Sequence, residues 1–281
     1  MLSAPPVPRI PRPDRRRLPQ RKSMTIAAGL LCPDGIVLCP DTEHTGMTKQ
    51  AGPKLWVTTT PATDNGLCLA LAGAGESLLL REIRDRLKRA VVSGVSCGEA
   101  IEKIREALLL FYQQNIYVHP DAGNRTLQIL VAIRDETGCQ LFQNSDHSLG
   151  PVDASACVGH GTELGEFLLG SSMAGFAGSL NAAIARCLAI YTLMQVKKYS
   201  PYCGGASQVL VIPQQGQPMF VDDAEVVAFE KSFANSLLHP GLSAVAFGVV
   251  MSDATSLTFE DLRKAMEIWG RSQRPKPTPS E

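Results

Sequence analysis

The chain has 281 residues, of which 44% are hydrophobic and 19% are charged, with 27 basic and 27 acidic side chains. This composition is typical of a globular protein with a sizeable core, and the even charge balance argues against binding to nucleic acid or to a membrane. No apolar run approaches the roughly 18 residues of a membrane-spanning helix. The eight cysteines contain no Cys-x-x-Cys pair, so the sequence predicts no metal or cofactor and favours a reducing cytoplasm.

The two ends of the sequence differ in composition from the part between them. Six prolines fall within residues 1–23, and the stretch 9–22 carries seven basic residues against a single acidic one, Asp14. Proline removes backbone donors and blocks helices, so residues 1–24 are predicted to be a disordered arm or a propeptide. We expect one folded domain over residues 25–270 and a disordered tail over residues 271–281.

The predicted domain begins with two pairs of strands. The apolar runs TIAAGLLC and GIVLCPD are separated by Pro33-Asp34-Gly35, which is a hairpin signal. The runs KLWVTT and GLCLALAG predict a second strand pair. From Glu76 the apolar residues recur at helical spacing, as Leu79, Ile83 and Leu87 do, and a second helix is predicted from Gly98.

The second half of the domain repeats this order. Three predicted strands, TLQILVAIRD, CQLFQNS and ASACVG, are followed by two helices between about residues 162 and 198. The strands SQVLVIP and PMFVD come next, and a last helix is predicted near Thr258, where Asp261 completes a capping box. Because strands and helices come in pairs, we predict an α+β fold with two packed sheets and helix pairs outside, a four-layer αββα sandwich. A doubly wound sheet would alternate them singly.

Three polar residues at the starts and ends of the first strands form a candidate site. A threonine at a chain N-terminus combines a nucleophilic hydroxyl with an α-amine that can accept its proton. That amine titrates near pH 7.7–8.0, which suits a general base. Thr25, Asp41 and Lys54 lie on the first, second and third predicted strands, so a lysine charge and its aspartate partner could meet the hydroxyl. Each also has an ordinary alternative, as a strand-opening β-branched residue, a turn residue and a solvated charge.

The same stretch resembles the start of proteasome β subunits and of related bacterial threonine peptidases, which are N-terminal nucleophile hydrolases. The resemblance covers roughly residues 25–221. The positions that carry it are Thr25, Gly29, Asp34-Gly35, Ile36-Val37, Asp41 and Lys54-Leu55. The spacing from Thr25 to Asp41 matches that family without a gap, whereas Lys54 comes about three residues early.

The resemblance implies the fold of N-terminal nucleophile hydrolases and hydrolysis of peptide bonds by Thr25, assisted by Asp41 and Lys54. It places substrate-binding and oxyanion-binding amides near Ala72 and Gly73, in the family's turn into its first helix.

Two later loops of the sequence resemble the remaining parts of that site. They add His160 in the run CVGHG, and Ser200, Cys203 and Gly204 in the run YSPYCGG, as groups around the threonine amine. The family has serine at the position of His160, and aspartate and serine at those of Ser200 and Cys203. The implied partners are a peptide or unfolded-protein substrate, other copies of the chain in a ring, and an ATP-dependent unfoldase.

Several alternatives stay open at this point. Thr25 could become the N-terminus by self-cleavage after residue 24, or by translation from Met24 followed by removal of that methionine. The favoured route is the second, because the family's self-processing precursors have glycine where Met24 stands. The chain could instead be a non-catalytic structural relative, which the absent aspartate at Ser200 favours, or an N-terminal nucleophile amidase that acts on a small amide.

Overall fold

The computed structural model describes residues 25–45, 49–52, 54–59, 67–91, 96–120, 127–173 and 180–235. Within these ranges the fold is α+β, with two five-stranded antiparallel sheets, a two-stranded pair and five α-helices. The strands are β1 Ile26–Cys32, β2 Gly35–Pro40, β3 Glu43–Thr45, β4 Lys49–Ala51, β5 Leu55–Thr59, β6 Cys68–Gly75, β7 Leu127–Asp135, β8 Gly138–Ser145, β9 Ser148–Val152, β10 Ser155–Gly159, β11 Leu210–Pro213 and β12 Met219–Phe220. The helices are α1 Ser77–Ala90, α2 Cys97–Tyr112, α3 Thr162–Met173, α4 Ala182–Tyr199 and α5 Asp223–Asn235, and a short π-helix, Gln113–Tyr117, follows α2.

The order of strands shows how distant parts of the chain meet. The first sheet runs β10-β1-β2-β11-β12, the second runs β5-β6-β7-β8-β9, and β3 pairs with β4. The predicted hairpin at Pro33-Asp34-Gly35 is confirmed, since Cys32 pairs with Gly35 across the turn. A side chain at Gly35 would overlap with the carbonyl of Ile212 on β11, so this position of the turn requires glycine.

Each sheet is apolar on both faces. On the first sheet, Leu30 and Val37 belong to a cluster with residues of α3, α4 and α5, whereas Leu38 belongs to a cluster that also includes Leu130 of the second sheet. The opposite face of the second sheet packs against α1 and α2 through residues such as Phe111. The alternation of side chains along a strand explains how neighbouring residues enter different clusters.

The helices that follow β6 agree with the predicted periodicity. Ile83 and Leu87 of α1 are fully buried, whereas Leu78 in the first turn is 64% exposed and faces outward. Helix α2 begins one residue before the predicted start, at Cys97, because Ser96 and Glu99 form a capping box there.

Some observed elements were not predicted, and some predicted segments lie outside the described residues. Helix α5 and the strands β3, β4 and β9 were not predicted from the pattern. The helix predicted near Thr258 with Asp261, the arm over 1–24 and the tail over 271–281 lie outside the described residues. In the part of the chain that the structure describes, no helix is long and apolar enough to cross a membrane.

The buried face of α2 can be tested with two leucines on the same helix. Leu108 is fully buried and Leu110 is 50% exposed. Leu108→Ala is expected to lower the free energy of unfolding by about 2–5 kcal/mol, because it removes buried methyl groups and leaves a cavity. Leu110→Ala, the matched control, is expected to change it by no more than about 0.5 kcal/mol. Chemical denaturation measures both, and equal losses would contradict this packing.

Candidate active site

Three polar residues meet at one end of the β1–β2 hairpin. Thr25 directly precedes β1, Asp41 directly follows β2 and Lys54 directly precedes β5. The backbone N–H of Asp41 donates to the carbonyl of Ile26 at 2.9 Å, so the hairpin itself brings residues 25 and 41 together. Thr25, Asp41 and Lys54 are 1%, 0% and 5% exposed, which excludes the reading of Lys54 as a solvated charge.

The three side chains form a closed set of hydrogen bonds. The Thr25 hydroxyl donates to Asp41 Oδ1. The Lys54 ammonium donates to Thr25 Oγ1, to Asp41 Oδ1 at 2.6 Å and to the main-chain carbonyl of Glu43. All three ammonium protons therefore have acceptors. A buried ion pair needs this kind of satisfaction, because its charges have left water.

The electrostatics of Lys54 suit proton transfer at the Thr25 hydroxyl. Burial lowers the pKa of the Lys54 ammonium below its ordinary value, while the charge of Asp41 and its hydrogen bond act in the opposite direction. Lys54 consequently loses its proton more easily than an exposed lysine does. An ammonium at this position can stabilise negative charge on the Thr25 oxygen, and a neutral amine there can accept the hydroxyl proton.

A loop after α4 holds Asp41 from the other side. The N–H of Gly204 donates to Asp41 Oδ2 at 3.0 Å, so both carboxylate oxygens of Asp41 are bonded. Asp41 forms an isolated antiparallel bridge with Ser207, and the N–H of Thr42 donates to the carbonyl of Ala206 at 2.9 Å. Gly204 thus lies beside Asp41 as a main-chain donor, and its role in anchoring the threonine amine stays a prediction.

His160 meets Thr25 through its backbone. Its N–H donates to the Thr25 carbonyl at 2.8 Å, and its ring packs edge-on against that of Tyr202, with centroids 4.4 Å apart. Gly159 before it has φ +109°, and a Cβ there would overlap with the Thr25 carbonyl. This position must be glycine so that β10 can approach Thr25. A role for the His160 side chain toward the threonine amine stays a prediction.

Ser200 and Cys203 lie together at the start of the same loop. Ser200 ends α4, its carbonyl accepts a 3.3 Å hydrogen bond from the N–H of Cys203, and its side chain hydrogen-bonds the thiol. Cys203 is only 5% exposed. Burial raises the pKa of its thiol to about 11, with the charges of Asp41 and Glu43 adding to the effect and the Ser200 bond opposing it. Cys203 is therefore a neutral thiol at neutral pH, and its action on the amine stays a prediction.

Ala72 and Gly73 lie within β6, not in the turn into α1 as expected. Ala72 pairs with Leu55 of β5 and with Leu130 of β7, so sheet neighbours flank it on both sides. The turn comes later because β6 continues to Gly75 before α1 begins.

The last residues of β6 are the ones that border the site. The β5 ladder ends at the pair Leu55–Ala72, so Gly73 and the residues after it have β7 on one side and extend past the end of β5 on the other. A Cβ built on Gly159 would lie 2.9 Å from that of Ala74, which places this strand end beside Thr25. Binding of substrate or oxyanion by Gly73 stays a prediction; for Ala72 the paired position makes it less accessible than the sequence suggested.

One carboxylate near the site was not predicted. The side chain of Glu43 lies against Gly204, where an added Cβ would overlap with Glu43 Oε2. Its charge also favours the protonated form of Lys54. The pattern contained no signal for it, because the short β3–β4 pair that carries Glu43 was not recognised. Among the residues that the structure describes, no group of three or more His, Cys, Asp or Glu side chains is arranged to hold a metal ion.

Comparison with known proteins supports the fold. No family model matches the sequence, and no curated protein matches it. Among solved structures, Anbu (ancestral beta-subunit) from Yersinia bercovieri is 14% identical with a TM-score of 0.60, covering 83% of this chain and 99% of that one. Anbu from Hyphomicrobium sp. strain MC1 is 11% identical with a TM-score of 0.59, covering 84% and 100%. The helical assembly of the Anbu complex from Pseudomonas aeruginosa is 14% identical with a TM-score of 0.59, covering 83% and 98%.

These likenesses correct the family prediction. The structural neighbours are Anbu proteins, which are proteasome-like but distinct, so the assignment to the proteasome β-subunit family is wrong. What these likenesses support is the fold alone, which is similar to that of the Anbu structures. Thr25 and Asp41 lie at the end of the β1–β2 hairpin and Lys54 lies before β5 of the other sheet.

The state of Cys203 can be tested by alkylation. At pH 8, raising the thiol pKa from its ordinary 9.0 to about 11 lowers the thiolate fraction roughly 100-fold. Iodoacetamide is therefore expected to modify Cys203 at least about 100-fold more slowly in the folded protein than in denaturant. Because the folded pKa lies above the unfolded one, the stability that this burial contributes is complete below pH 9 and is lost between pH 9 and about 11. Peptide mapping measures the rate, and equal rates in both states would contradict the assignment.

Proposed function

We propose that this chain is a hydrolase that cleaves peptide bonds with the Thr25 hydroxyl as nucleophile, within a four-layer αββα arrangement. The observation that carries the proposal is the buried cluster in which Lys54 donates to both Thr25 Oγ1 and Asp41 Oδ1. A buried cation with a lowered pKa beside a hydroxyl has a physical role in catalysis that an ordinary core does not need.

The reaction follows from the groups around the hydroxyl. A freed α-amine of Thr25, assisted by Lys54, takes the hydroxyl proton as the oxygen attacks the substrate carbonyl. Asp41 keeps Lys54 charged and in place, and the ammonium stabilises charge on the Thr25 oxygen. Main-chain donors at the end of β6, around Gly73, are the candidates for binding the oxyanion. The amine proton then passes to the leaving amine, and water releases the acyl group from Thr25 by the same route in reverse.

The proposal requires that Thr25 begin the functional chain. In a chain that keeps residue 24, the threonine nitrogen belongs to an amide and cannot act as a base. We accordingly propose residues 25–270 as the functional domain. Self-cleavage of the preceding segment and translation from Met24 remain the two routes to it, with translation from Met24 favoured.

A non-catalytic role is the second candidate, and one observation favours it. Ser200 and Cys203 occupy the loop that was predicted to anchor the amine, and both are neutral groups. An amine without a charged acceptor there is held less firmly. An amidase acting on a small amide shares the Thr25 chemistry and differs only in substrate.

The partners are proposed from the same reading. Peptides or unfolded chains are the proposed substrates, and an ATP-dependent unfoldase stays a prediction. We propose self-association, which the helical assembly of the Pseudomonas aeruginosa neighbour supports more directly than the ring expected from the sequence. The cytoplasm is the proposed location.

The start of the functional chain is testable by intact mass. Protein purified from its native host is expected to begin at Thr25, and that form is expected to hydrolyse a fluorogenic peptide. Thr25→Ala is expected to be inactive, whereas Thr25→Ser keeps a hydroxyl and should retain measurable turnover. A stable chain that keeps residues 1–24 would reject the catalytic proposal. A chain that begins at Thr25 and cleaves small amides but no peptide would favour the amidase.

Lys54 is expected to matter for both rate and stability. Lys54→Ala should lower turnover by about 10²–10⁴-fold, the usual contribution of one acid–base group. It also leaves Asp41 buried without its cation, which should cost about 3–5 kcal/mol of unfolding free energy. Lys54→Arg should not restore turnover, because a planar guanidinium cannot fill the place of a compact ammonium.

The matched control for Lys54 is Lys88→Ala on the exposed surface of α1. It should leave peptide turnover unchanged and shift the unfolding free energy by at most about 0.5 kcal/mol. If Lys54→Ala matches this control in both measurements while Thr25→Ala is inactive, Lys54 has no catalytic role.

Self-association is expected at micromolar protein concentration. Light scattering coupled to size exclusion should give a mass well above the 30.2 kDa of a single chain. A monodisperse monomer across this concentration range would contradict the proposal, and it would leave the catalytic proposal to be decided by the peptide assay.

A further inference from the structure

A second, largely buried ion pair lies behind the loop that holds Asp41. The Lys197 ammonium on α4 donates to Glu230 Oε1 on α5 at 2.7 Å, to Ser207 Oγ at 2.8 Å and to the carbonyl of Gly205 at 3.2 Å. The Ser207 hydroxyl in turn donates to Glu230 Oε1 at 2.7 Å. The side chains of Lys197 and Glu230 are 13% and 23% exposed, and Ser207 is 2% exposed. Two of the three ammonium bonds are thus made to the loop and only one to the other helix.

The same few loop residues contact Asp41 on their opposite side. The N–H of Gly204 donates to Asp41 Oδ2, and Ser207 bridges to Asp41. Gly205 between them has φ +75°, and a side chain there would be 2.6 Å from Thr42 Oγ1, so the loop lies directly on the segment after β2. Lys197 therefore holds Gly205 and Ser207, in the same short loop whose residues Gly204 and Ser207 contact Asp41.

We propose that Lys197, paired with Glu230, is a positioning residue that keeps the Gly204 amide directed at Asp41. The inference rests on the proposed function and extends it to a residue that does not touch the Thr25 hydroxyl. With Oδ2 held by Gly204, Oδ1 faces Thr25 and Lys54. A loop released by loss of Lys197 lets the carboxylate turn, and the hydroxyl and ammonium lose their common acceptor.

The proposal makes a statement about kinetics that a general stabilising role does not make. Lys197 lies behind the loop, so its loss should leave substrate binding as it is and slow the chemical step. Small misplacements of catalytic groups cost up to about 10²-fold in rate. A salt bridge that only joined α4 to α5 would instead change the stability of the whole domain and leave kcat of the folded fraction unchanged.

The test compares Lys197→Met with Lys197→Arg, which keeps the positive charge. Two readouts are used: kcat and KM for a fluorogenic peptide, and amide hydrogen exchange at Gly204 by NMR, with Val131 in the centre of the second sheet as reference. Lys197→Met is expected to lower kcat at least about tenfold with KM unchanged, and to accelerate exchange at Gly204 but not at Val131. Lys197→Arg is expected to keep kcat and the exchange rate at Gly204 close to those of the parent protein. Should Lys197→Met fail to fold, Ser207→Ala, which removes one loop contact, replaces it.

The matched control is Arg86→Met, which breaks a partly buried ion pair with Glu82 on α1, in the helices against the other sheet. It should change neither kcat nor exchange at Gly204. Exchange at Gly204 that stays at the parent rate, or that rises together with Val131, overturns the proposal, as does a raised KM with unchanged kcat. A parent protein that hydrolyses nothing rejects the proposed function instead, and the exchange experiment still decides whether Lys197 holds Gly204.

Discussion

The arrangement of this domain around residue 25 depends on a lysine ammonium that is buried beside a carboxylate and a hydroxyl. Removing an ion from water costs several kcal/mol even after relaxation, and a single opposite charge repays it only with good geometry. Lys54 meets that condition with three acceptors, of which one is a main-chain carbonyl that no side-chain substitution can remove. The parts of the chain that supply these acceptors must therefore stay in fixed relation, and the two sheets are the elements that hold them.

The fold meets this requirement by placing strand ends together. Thr25 and Asp41 are fixed by the β1–β2 hairpin, Lys54 by the start of β5 in the other sheet, and Gly204 by a loop more than 160 residues from Thr25. An apolar cluster lies between the two sheets. Its burial holds the sheets together and so fixes the distance from the start of β5, where Lys54 lies, to Thr25 and Asp41 beside the first sheet. The packed sheets hold the polar cluster in place, and removing one of its charged members would leave the other buried without a partner.

Local patterns in the sequence predicted the parts of this site that are close along the chain. The Pro33-Asp34-Gly35 turn predicted the hairpin, and with it the meeting of Thr25 and Asp41. The position of Ala72 within β6 and the presence of Glu43 beside Gly204 were missed, because both depend on which strand pairs where. Apolar alternation shows that a strand exists but does not give its partner or the residue at which pairing stops. The family was missed for a related reason: the spacing of the three residues Thr25, Asp41 and Lys54 describes a site, and related families can share such a site.

The charges around Thr25 bear on which of the two candidate functions the site can support. The positive charge of Lys54 is balanced by the carboxylate of Asp41, and the Glu43 carboxylate adds a second negative charge close by. Ser200 and Cys203 add none, since one is a hydroxyl and the other a neutral thiol. A freed, protonated amine at Thr25 would bring a second positive charge, and Asp41 together with Glu43 would then balance two cations with two anions. The absent aspartate at position 200 therefore affects how firmly the loop after α4 would hold the amine. It does not affect whether the site can balance the amine's charge, because the negative charge comes from the segment after β2.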